Sequence, residues 1–518
     1  MKSFNVTGTC FPSLHYMVDI TKQVNDAIDL VSRNLYFCIN RGRQYGKTTT
    51  LEAIRTKLQE QGYCVFFISF EGLDDDDFVS LKTLLAKFMS LLNEQLYKKI
   101  TKNISQSAIE KIAKFDSLQE VNSTLLIRLI FDLCSENNKI VLIIDEVDQA
   151  SNHDSFIKFL GILRRLFLDR IYSPTFYSVI LAGVYDITNL KLKIRPNEEH
   201  SYNSPWNIAS DYSSDMSLPV DGIEKMLIEY KSDRNIDFDA KNIAKQIYDW
   251  TSGYPYLVSK ICLLIDTKNL TWDNHGINEA IKFIFNDSND KLFLDFSKKI
   301  NDFPNLTLVL RQILFNGDFV SYSLLDNDLR LALRFNYVKN INNQVVISNR
   351  IFELALYNFF ISEEKKTSIY AEGEKDKNQF IKDGYLDLKH VLEKFAVHFN
   401  EIYGKNDDKF VENQGRKLFL LYLRPIINGI GNYYIEAQTR DYTRTDIIID
   451  YKSKQYVVEL KIWHGEEYNR KGEIQLTEYL NYFNLQEGYM VSFCFNKNKQ
   501  TGLQEVNFGD KKLYEVVV

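Results

Sequence analysis

Four apolar runs in the first 190 residues constrain the fold of this chain more than any other feature of its sequence. These runs are rich in β-branched and aromatic residues, and they read LYFCINR, YCVFFISFEG, KIVLIIDEVD and FYSVILAGVYD. Helical patterns separate them, for example over residues 48–61 and 78–100. Continuously apolar strands that alternate with helices indicate a parallel sheet covered on both faces. The N-terminal part is therefore predicted to be α/β, with functional loops at the carboxyl ends of its strands.

The stretch CINRGRQYGKTTTL follows the first of these runs and precedes a helical pattern. Backbone N–H groups at such a helix start bind phosphate, and Gly46 permits close approach of the backbone. Lys47 can reach the outer phosphates and Thr48 can ligate Mg²⁺. Arg41 stands where the first glycine of a phosphate loop is usual. The remaining parts and their context still predict a site for ATP and Mg²⁺.

The third run ends in the acidic pair Asp145 and Glu146. Asp145 is placed to hold the Mg²⁺ shell, and Glu146 to polarise an attacking water for hydrolysis. A Gly-Lys-Thr triplet also occurs by chance, and an acidic pair after a strand is often only a helix cap. Because the two features occur in the right order at two strand ends, they predict an ATPase.

The composition describes an ordinary globular protein, with 45% hydrophobic and 25% charged residues over 518 residues. This length predicts three or four domains. The net charge of −6 argues against a surface coated in basic residues for nucleic acid. Six scattered cysteines without a CxxC pair and seven histidines without ligand spacing argue against a zinc site. Neither a signal-peptide core nor a membrane-length apolar run is present, so we expect a cytoplasmic protein without a membrane partner.

Five stretches carry a more specific resemblance, and they read GTCFPSLHYMVDI, INRGRQYGKTTTL, SVILAGVYDITNLK, SPWNIASDYSSDMSL and YDWTSGYPYLVSKIC. Together they resemble the bacterial AAA-like P-loop ATPase family over most of residues 1–265. Related ATPases carry Arg-x-Arg-x-Tyr/Phe-Gly-Lys-Thr in the loop, as Arg41 to Thr48 do here. Arg43 and Thr49 are accordingly expected to contact ATP. The resemblance implies a RecA/AAA-type core with an additional strand, a helical lid, often a winged helix, and often a C-terminal PD-(D/E)XK nuclease-like domain.

Patterning along the chain predicts a multidomain α/β protein with a short hairpin at Asn342-Asn343 between two β-runs. The predicted parts are an ATPase core at 1–215, a helical lid at 216–290, a winged-helix-like unit at 291–361, a charged linker at 362–380 and a nuclease-like α/β domain at 381–518.

The C-terminal stretch RTDIIIDYKSKQYVVELKIW places three charged residues in two apolar β-runs. Glu459 and Lys461 are two residues apart on one strand, so their side chains share a face. Charges inside an apolar hairpin are costly unless they are paired or bind metal. Asp446 and Glu459 could hold Mg²⁺ while Lys461 stabilises charge during phosphodiester hydrolysis. The alternative is an ion-pair ladder on a solvent-exposed face.

Over about residues 405–498 this order resembles the PD-(D/E)XK nuclease superfamily. By that resemblance the aspartate is the first motif acid and the glutamate and lysine form the ExK half. Glu412 opens a helical pattern and could add a metal-binding carboxylate, while Gln475 and Tyr479 match a supporting QxxxY motif. Thr445 replaces the proline that usually precedes the acid. The region is therefore expected to form a restriction-endonuclease-like domain.

The sequence thus predicts an ATPase joined to a Mg²⁺-dependent nuclease, with ATP state gating or assembling cleavage of nucleic acid, DNA rather than RNA. The chain could also form a homo-oligomer. The main alternative is a STAND-like signalling or scaffold ATPase whose C-terminal domain only binds a partner. A third reading is a nuclease that acts without ATP and keeps a degenerate ATPase as a structural base.

Overall fold

The computed structural model describes most of the chain as two compact units. The described residues are 2–116, 122–136, 139–151, 153–184, 205–316, 320–323, 325–364, 367–403, 410, 412–428, 430–435, 447–452, 454–482, 484–496 and 501–518. Residues 1–248 and 253–277 form the N-terminal unit, and residues 249–252 and 278–518 form the C-terminal unit. No helix among the described residues is long and apolar enough to cross a membrane. All six cysteines are free thiols.

The N-terminal unit contains a five-stranded parallel sheet in the order β2-β3-β4-β1-β5. Strands β1 to β5 lie at Phe37–Asn40, Cys64–Ser69, Ile140–Asp145, Ser178–Gly183 and Ser210–Asp211. All six residues of β3 and of β4 are buried, which confirms that both faces of these strands are covered. Strand β4 lies between β1 and β3, so it is the additional strand that the family resemblance implies.

Helices α1 to α6 lie at Thr21–Ser32, Lys47–Glu60, Leu81–Tyr97, Gln106–Asp116, Ser123–Glu136 and Asp154–Leu168. The helices predicted over 48–61 and 78–100 are confirmed as α2 and α3, with small differences at their ends. Buried side chains of α3, α5 and α6 pack against the sheet in one continuous apolar cluster. This packing fixes the strand ends from which the loops of the candidate nucleotide site emerge.

Four helices follow the sheet, and α7 to α10 lie at Val220–Arg234, Ala240–Thr251, Pro255–Thr267 and Asn274–Asn286. A tight turn at Gly253 (φ +73°) separates α8 from α9. A Cβ at this position would lie 2.3 Å from the carbonyl oxygen of Leu218, so only glycine fits. The boundary between the two units falls within α8 and again within α10.

The C-terminal unit continues with helices, a hairpin and a mixed sheet. Helices α11 to α18 lie at Lys291–Asp302, Pro304–Arg311, Asn327–Arg334, Arg350–Glu363, Ser368–Asp376, Leu388–Tyr403, Glu412–Ile427 and Glu466–Tyr482. Strands β6 to β15 lie at Val338–Ile341, Gln344–Ile347, Ile381–Lys382, Tyr385–Leu386, Gly431–Ile435, Ile447–Tyr451, Lys454–Ile462, Glu487–Phe493, Gly502–Phe508 and Lys511–Val517.

The predicted hairpin is confirmed between β6 and β7. Ile341 pairs with Gln344, which leaves Asn342 and Asn343 as the two turn residues. Both asparagines adopt positive φ angles, 50° and 67°, as a two-residue hairpin turn requires. The order helix, helix, helix, hairpin, helix from α11 to α14 contains the elements expected for the winged-helix-like unit.

The poorly patterned segment predicted as a linker at 362–380 contains a helix, α15, at Ser368–Asp376. Ile369 is fully buried. Gly373 lies so close to α17 that a Cβ would approach the carbonyl oxygen of Tyr422 to 2.2 Å. Charged residues dominate the exposed side of this short helix, so the apolar periodicity that predicts a helix is weak in its sequence. Tertiary packing stabilises the helix.

A six-stranded mixed sheet forms the end of the C-terminal unit, in the order β10-β11-β12-β13-β15-β14. Strands β10, β11 and β12 are antiparallel neighbours, whereas β12, β13 and β15 run parallel to one another. Strand β14 pairs antiparallel with β15. Helix α18 connects β12 to β13 and packs against both. This arrangement confirms the α/β character predicted for the region and places β12 near the middle of the sheet.

Candidate functional site

The loop between β1 and α2 is wrapped around the Lys47 side chain. Its ammonium group donates hydrogen bonds to the carbonyl oxygens of Arg41 (3.2 Å) and Gly42 (3.1 Å). Gly46 has φ +81° and directly precedes the helix, so a left-handed residue turns the chain into α2. Burial lowers the pKa of Lys47, and the carboxylate of Glu146 acts in the opposite direction. The loop therefore presents a helix start and a buried lysine at the carboxyl end of β1, as phosphate binding requires.

The carboxyl end of β3 meets this loop through a direct hydrogen bond. The hydroxyl of Thr48 donates to Oδ2 of Asp145 at 2.8 Å. Oδ1 of the same carboxylate accepts a hydrogen bond of 2.9 Å from the backbone N–H of Glu146. Burial raises the pKa of Asp145 and that of Glu146. The fold thus brings together the three residues predicted for metal binding and hydrolysis, although Thr48 lies 97 positions before Asp145 in the sequence.

The two further predicted ATP contacts are tied to neighbouring parts of the N-terminal unit. The carbonyl oxygen of Arg43 accepts a hydrogen bond from the hydroxyl of Tyr254, and the hydroxyl of Thr49 accepts one from the backbone N–H of Cys10 at 3.1 Å. The Tyr254 ring also makes an edge contact with Tyr45, with centroids 4.8 Å apart. Tyr254 was missed as a site residue, although it lies in the quoted stretch YDWTSGYPYLVSKIC. The hydrogen bond of Tyr254 to Arg43 joins residues that lie more than 200 positions apart in the sequence.

The second candidate site is centred on β12. Nζ of Lys461 lies 2.7 Å from Oε1 of Glu459, so the two charges predicted to share a face form an ion pair. Glu459 is fully buried, and apart from this ion pair neither carboxylate oxygen has a hydrogen-bond partner among the described residues. Burial raises the pKa of Glu459 to about 8, and the nearby Lys461 ammonium limits the rise. A solvent-exposed ion-pair ladder is therefore excluded.

Helix α17 contributes a second acid and an unpredicted arginine to this region. Glu412 lies at the start of the helix as predicted, and its Oε1 is 3.8 Å from a guanidinium nitrogen of Arg416. Arg416 is 1% exposed, and its Nε has no hydrogen-bond partner among the described residues. The carboxylate of Glu412 raises the pKa of Glu459, whereas the positive charge of Arg416 lowers it. Arg416 was missed because the amphipathic pattern around it resembles that of an ordinary helix.

Helix α18 covers the same region of the sheet. A Cβ on Gly472 would lie 3.3 Å from the side chain of Lys461, so the helix passes close to the ion pair. Gln475 and Tyr479 both lie on α18, and the Gln475 amide nitrogen is buried without a hydrogen-bond partner among the described residues. Asp446 lies outside the described residues. Its predicted convergence with Glu459 therefore stays a prediction.

A buried polar cluster borders this site and was also missed. The hydroxyl of Ser492 donates to Glu515 at 2.5 Å, and the amide of Asn469 donates to the same carboxylate at 3.1 Å. Ser492 is the register partner of Lys461 on the neighbouring strand β13. The three residues come from α18, β13 and β15. Only the tertiary structure brings them together, since no local motif connects them.

Residues 23–354 match the family model described as an AAA-like domain. The match includes the phosphate loop, the acidic end of β3 and the helices that follow the sheet. The chain belongs to the AAA-like domain family. Its mixed C-terminal sheet begins beyond the AAA-like match, at residue 431.

Comparison with solved structures gives similar chains of low sequence identity. A Walker-type ATPase from Pyrococcus abyssi is 15% identical with a TM-score of 0.48, over 68% of this chain and 99% of that one. The Aeropyrum pernix ORC2 protein, in ADPNP and ADP complexes, is 11% identical with a TM-score of 0.34, over 66% and 93%. The Aeropyrum pernix ORC1 protein in complex with DNA is 11% identical with a TM-score of 0.31, over 67% and 94%. None of the curated protein sequences matches this chain significantly.

The described residues contain no group of three or more His, Cys, Asp or Glu side chains that could hold a metal ion. The oxygen donors at the first candidate site are the Thr48 hydroxyl and the Asp145 carboxylate, whereas the Glu459 carboxylate at the second is paired with the Lys461 ammonium, which cannot bind a metal. The first set suits Mg²⁺, which usually binds one or two carboxylates together with water and substrate phosphates. The Thr48–Asp145 pair fits a metal that arrives with a phosphate substrate.

Proposed function

We propose that this AAA-like protein binds and hydrolyses ATP in its N-terminal unit. The observation that carries the proposal is the 2.8 Å hydrogen bond from Thr48 to Asp145 beside the buried Lys47. A hydroxyl and a carboxylate held together at the carboxyl ends of two strands are the protein ligands that a nucleotide-bound Mg²⁺ needs.

Each residue of this site has a definite task in the proposal. Lys47 would exchange its two carbonyl partners for the outer phosphates, since both interactions use the same ammonium group. Thr48 and Asp145 would hold the metal, and Mg²⁺ when bound neutralises charge on the phosphates. Glu146 directly follows the strand end and adopts φ +51°. It would accept the proton of the attacking water, and its raised pKa suits a base.

We further propose that the C-terminal unit is a PD-(D/E)XK nuclease-like domain that cuts nucleic acid, DNA rather than RNA, with Mg²⁺. Support comes from Glu459, a fully buried carboxylate whose one ion-pair partner among the described residues is Lys461 and whose oxygens accept no other hydrogen bond from those residues. Burying a carboxylate so poorly partnered is costly unless a ligand completes its environment. Asp446 and Glu412 would complete the metal site with Glu459, and Lys461 would stabilise negative charge on the phosphate. Gln475 and Tyr479 would support these groups from α18.

ATP state would then gate or assemble nucleic-acid cleavage in the cytoplasm, with a homo-oligomer as one way of assembling it. The alternative is a STAND-like signalling or scaffold ATPase whose C-terminal domain only binds a partner. The low exposure of Glu459 and Lys461 favours the nuclease proposal over this alternative, because a protein-binding surface has no need of a buried, desolvated ion pair.

The test compares four forms of the full chain: wild type, Glu146→Gln, Glu459→Gln and the exposed control Glu363→Gln. Phosphate release from ATP and cleavage of a labelled DNA duplex are measured with Mg²⁺. Glu146→Gln should keep ATP binding and lose ATP hydrolysis by about 10²- to 10⁴-fold, the range for loss of a general base. Glu459→Gln should keep ATP hydrolysis and lose DNA cleavage.

A different result would contradict each of the two proposed activities. If wild type binds ATP but releases phosphate no faster than Glu146→Gln, the hydrolysis proposal is wrong. If DNA cleavage is absent from wild type with ATP, or equal in wild type and Glu459→Gln, the nuclease proposal is wrong. Nucleotide-dependent oligomerisation without cleavage would then support the signalling alternative, and cleavage that persists in Lys47→Ala would support a nuclease independent of ATP.

A further inference from the structure

A polar cleft of about 410 Å³ lies within the C-terminal unit, between the end of α10, α14, the end of α17 and the edge strand β10. Its size matches small-molecule sites, which usually span about 300–1,000 Å³. Amides, two phenols, a lysine and an arginine supply most of its polar groups, and none of the described residues that line it is an aspartate or a glutamate. The described lining is therefore rich in hydrogen-bond donors, and the carboxylates that pair with Lys282 belong to residues outside it.

Arg424 supplies the positive charge of the cleft. One of its guanidinium nitrogens donates to the side-chain oxygen of Asn358 at 2.7 Å. The guanidinium is half-buried and forms no ion pair with any described residue. A partly desolvated guanidinium is normally paired with a carboxylate or a phosphate. An anionic ligand in the cleft would provide the missing partner.

Asn358 and Tyr433 orient further donors beside Arg424. The phenol of Tyr433 donates to the same Asn358 oxygen at 2.9 Å, so the carbonyl end of the amide is occupied by two donors. This pattern fixes the orientation of the amide and leaves its two N–H donors for a ligand. Burial raises the pKa of Tyr433 to about 12, so its phenol stays protonated at neutral pH. Arg424 and the Asn358 amide therefore present donors to an acceptor, while Tyr433 holds the amide in this orientation.

Lys282 lines the other side of the cleft, but its charge is already compensated. Its ammonium group lies 2.6 Å from Glu279 and 2.7 Å from Asp450. Selection of an anion therefore depends on Arg424, while Lys282 adds a donor at the far wall. Phe285 supplies an apolar surface for the remainder of a ligand.

We propose that this cleft binds an organic phosphate of mononucleotide size, with its phosphate held by the guanidinium of Arg424 and by the amide of Asn358, which Tyr433 orients. A bare phosphate ion would fill only a fraction of the cleft, whereas a phosphate carrying a sugar and a base would occupy it. The ligand is either a free nucleotide or the phosphorylated end of a nucleic-acid strand, because both present the same group.

The cleft is separate from the carboxylate–lysine site. Residues 431–434 of β10 pair with 448–451 of β11, which in turn pair with 454–457 of β12. Glu459 lies beyond the end of that stretch and two strands away from β10. At about 4.8 Å per strand and 3.3 Å per residue, the two sites are more than about 10 Å apart. The proposal accordingly does not depend on ATPase or nuclease activity.

Isothermal titration calorimetry on the full chain tests the proposal with two probes, adenosine 5′-monophosphate and a 5′-phosphorylated thymidine trinucleotide. All proteins carry Lys47→Ala, so that the candidate ATP site does not contribute. Arg424→Gln should weaken binding of either probe by about 10- to 100-fold, because it removes a charge-assisted hydrogen bond. Tyr433→Phe keeps the ring and should weaken binding by about five-fold. Lys298→Gln removes one exposed positive charge outside the cleft and should leave affinity unchanged.

The measured affinities show whether the cleft binds a phosphate, and whether that phosphate belongs to a free nucleotide or to a strand end. Tighter binding of the trinucleotide identifies a strand end, equal or tighter binding of the mononucleotide identifies a free nucleotide, and both support the cleft. Circular dichroism must show that the variants are folded, and Tyr433→Phe replaces Arg424→Gln if the latter is not. The proposal is overturned if neither probe binds, or if binding is the same in the folded cleft variants and in Lys298→Gln.

Discussion

Replacing Glu459 by glutamine should remove a large pH-dependent contribution to the stability of the C-terminal unit. The carboxyl has a pKa of about 8 in the folded chain against an ordinary value of 4.5, with burial as the main cause. Between these two values the folded state binds more protons than the unfolded state, so the free energy of unfolding falls as the pH rises. This loss of unfolding free energy begins above pH 4.5, the pKa of the carboxyl in the unfolded chain. It is complete above about pH 8, the pKa in the folded chain.

The magnitude follows from the two pKa values. At about 1.36 kcal/mol for each pH unit between them, wild type should lose about 3 to 4 kcal/mol of unfolding free energy from pH 5 to pH 8. For a unit of this size, that loss lowers the melting temperature by roughly 10 °C. Glu459→Gln has no ionisable group at this position and should lose far less over the same interval.

Differential scanning calorimetry of the full chain between pH 5 and pH 8 measures this difference. The comparison uses the pH dependence and not absolute stability, because glutamine leaves the buried Lys461 without its partner. The double variant Glu459→Gln/Lys461→Met removes both charges and should also be nearly independent of pH. Glu363→Gln, at an exposed position, should behave as wild type.

Equal pH dependence in wild type and Glu459→Gln would refute the reasoning, since it would mean that the carboxyl is not desolvated in the folded chain. If Mg²⁺ binds here as proposed, it should raise the melting temperature of wild type at pH 8 and leave that of Glu459→Gln almost unchanged.

Three further predictions concern local geometry. Gly46→Ala forces a side chain into the left-handed region at φ +81°, which costs about 1–2 kcal/mol, and should weaken binding of a fluorescent ATP analogue about ten-fold. Tyr254→Phe removes the hydrogen bond to the Arg43 carbonyl and keeps the ring, so affinity for the same analogue should fall by about five-fold; unchanged affinity would show that this contact does not hold the loop. Gly373→Ala places a methyl group 2.2 Å from the Tyr422 carbonyl oxygen and should destabilise the C-terminal unit by about 1–3 kcal/mol in chemical denaturation, whereas a fully exposed linker would tolerate it.

The parallel sheet was predictable because a strand buried on both faces must be apolar throughout. Strands β2 and β3 coincide with runs that have this property, and the residues that follow β1 and β3 could be assigned to one edge of the sheet. The hairpin at Asn342-Asn343 was equally local, because asparagine tolerates the positive φ of the turn. The sequence did not predict α15, since Gly373 is helical only where α17 packs against it.

The sequence by itself determined the chemistry of each segment: a glycine, a lysine and a threonine at a helix start, an acidic pair after a strand, and a glutamate and lysine two residues apart. Only the tertiary structure decided how deeply those groups are buried and which distant residues meet them. Thr48 reaches Asp145 because α2 begins just after β1, which lies in the same sheet as β3, and Glu459 loses its solvent because α18 covers β12. The donors around Arg424 come from separate helices and a strand, so no local pattern could reveal them. Covalent neighbours set the local pattern, whereas burial and charge pairing depend on contacts between residues far apart in the chain.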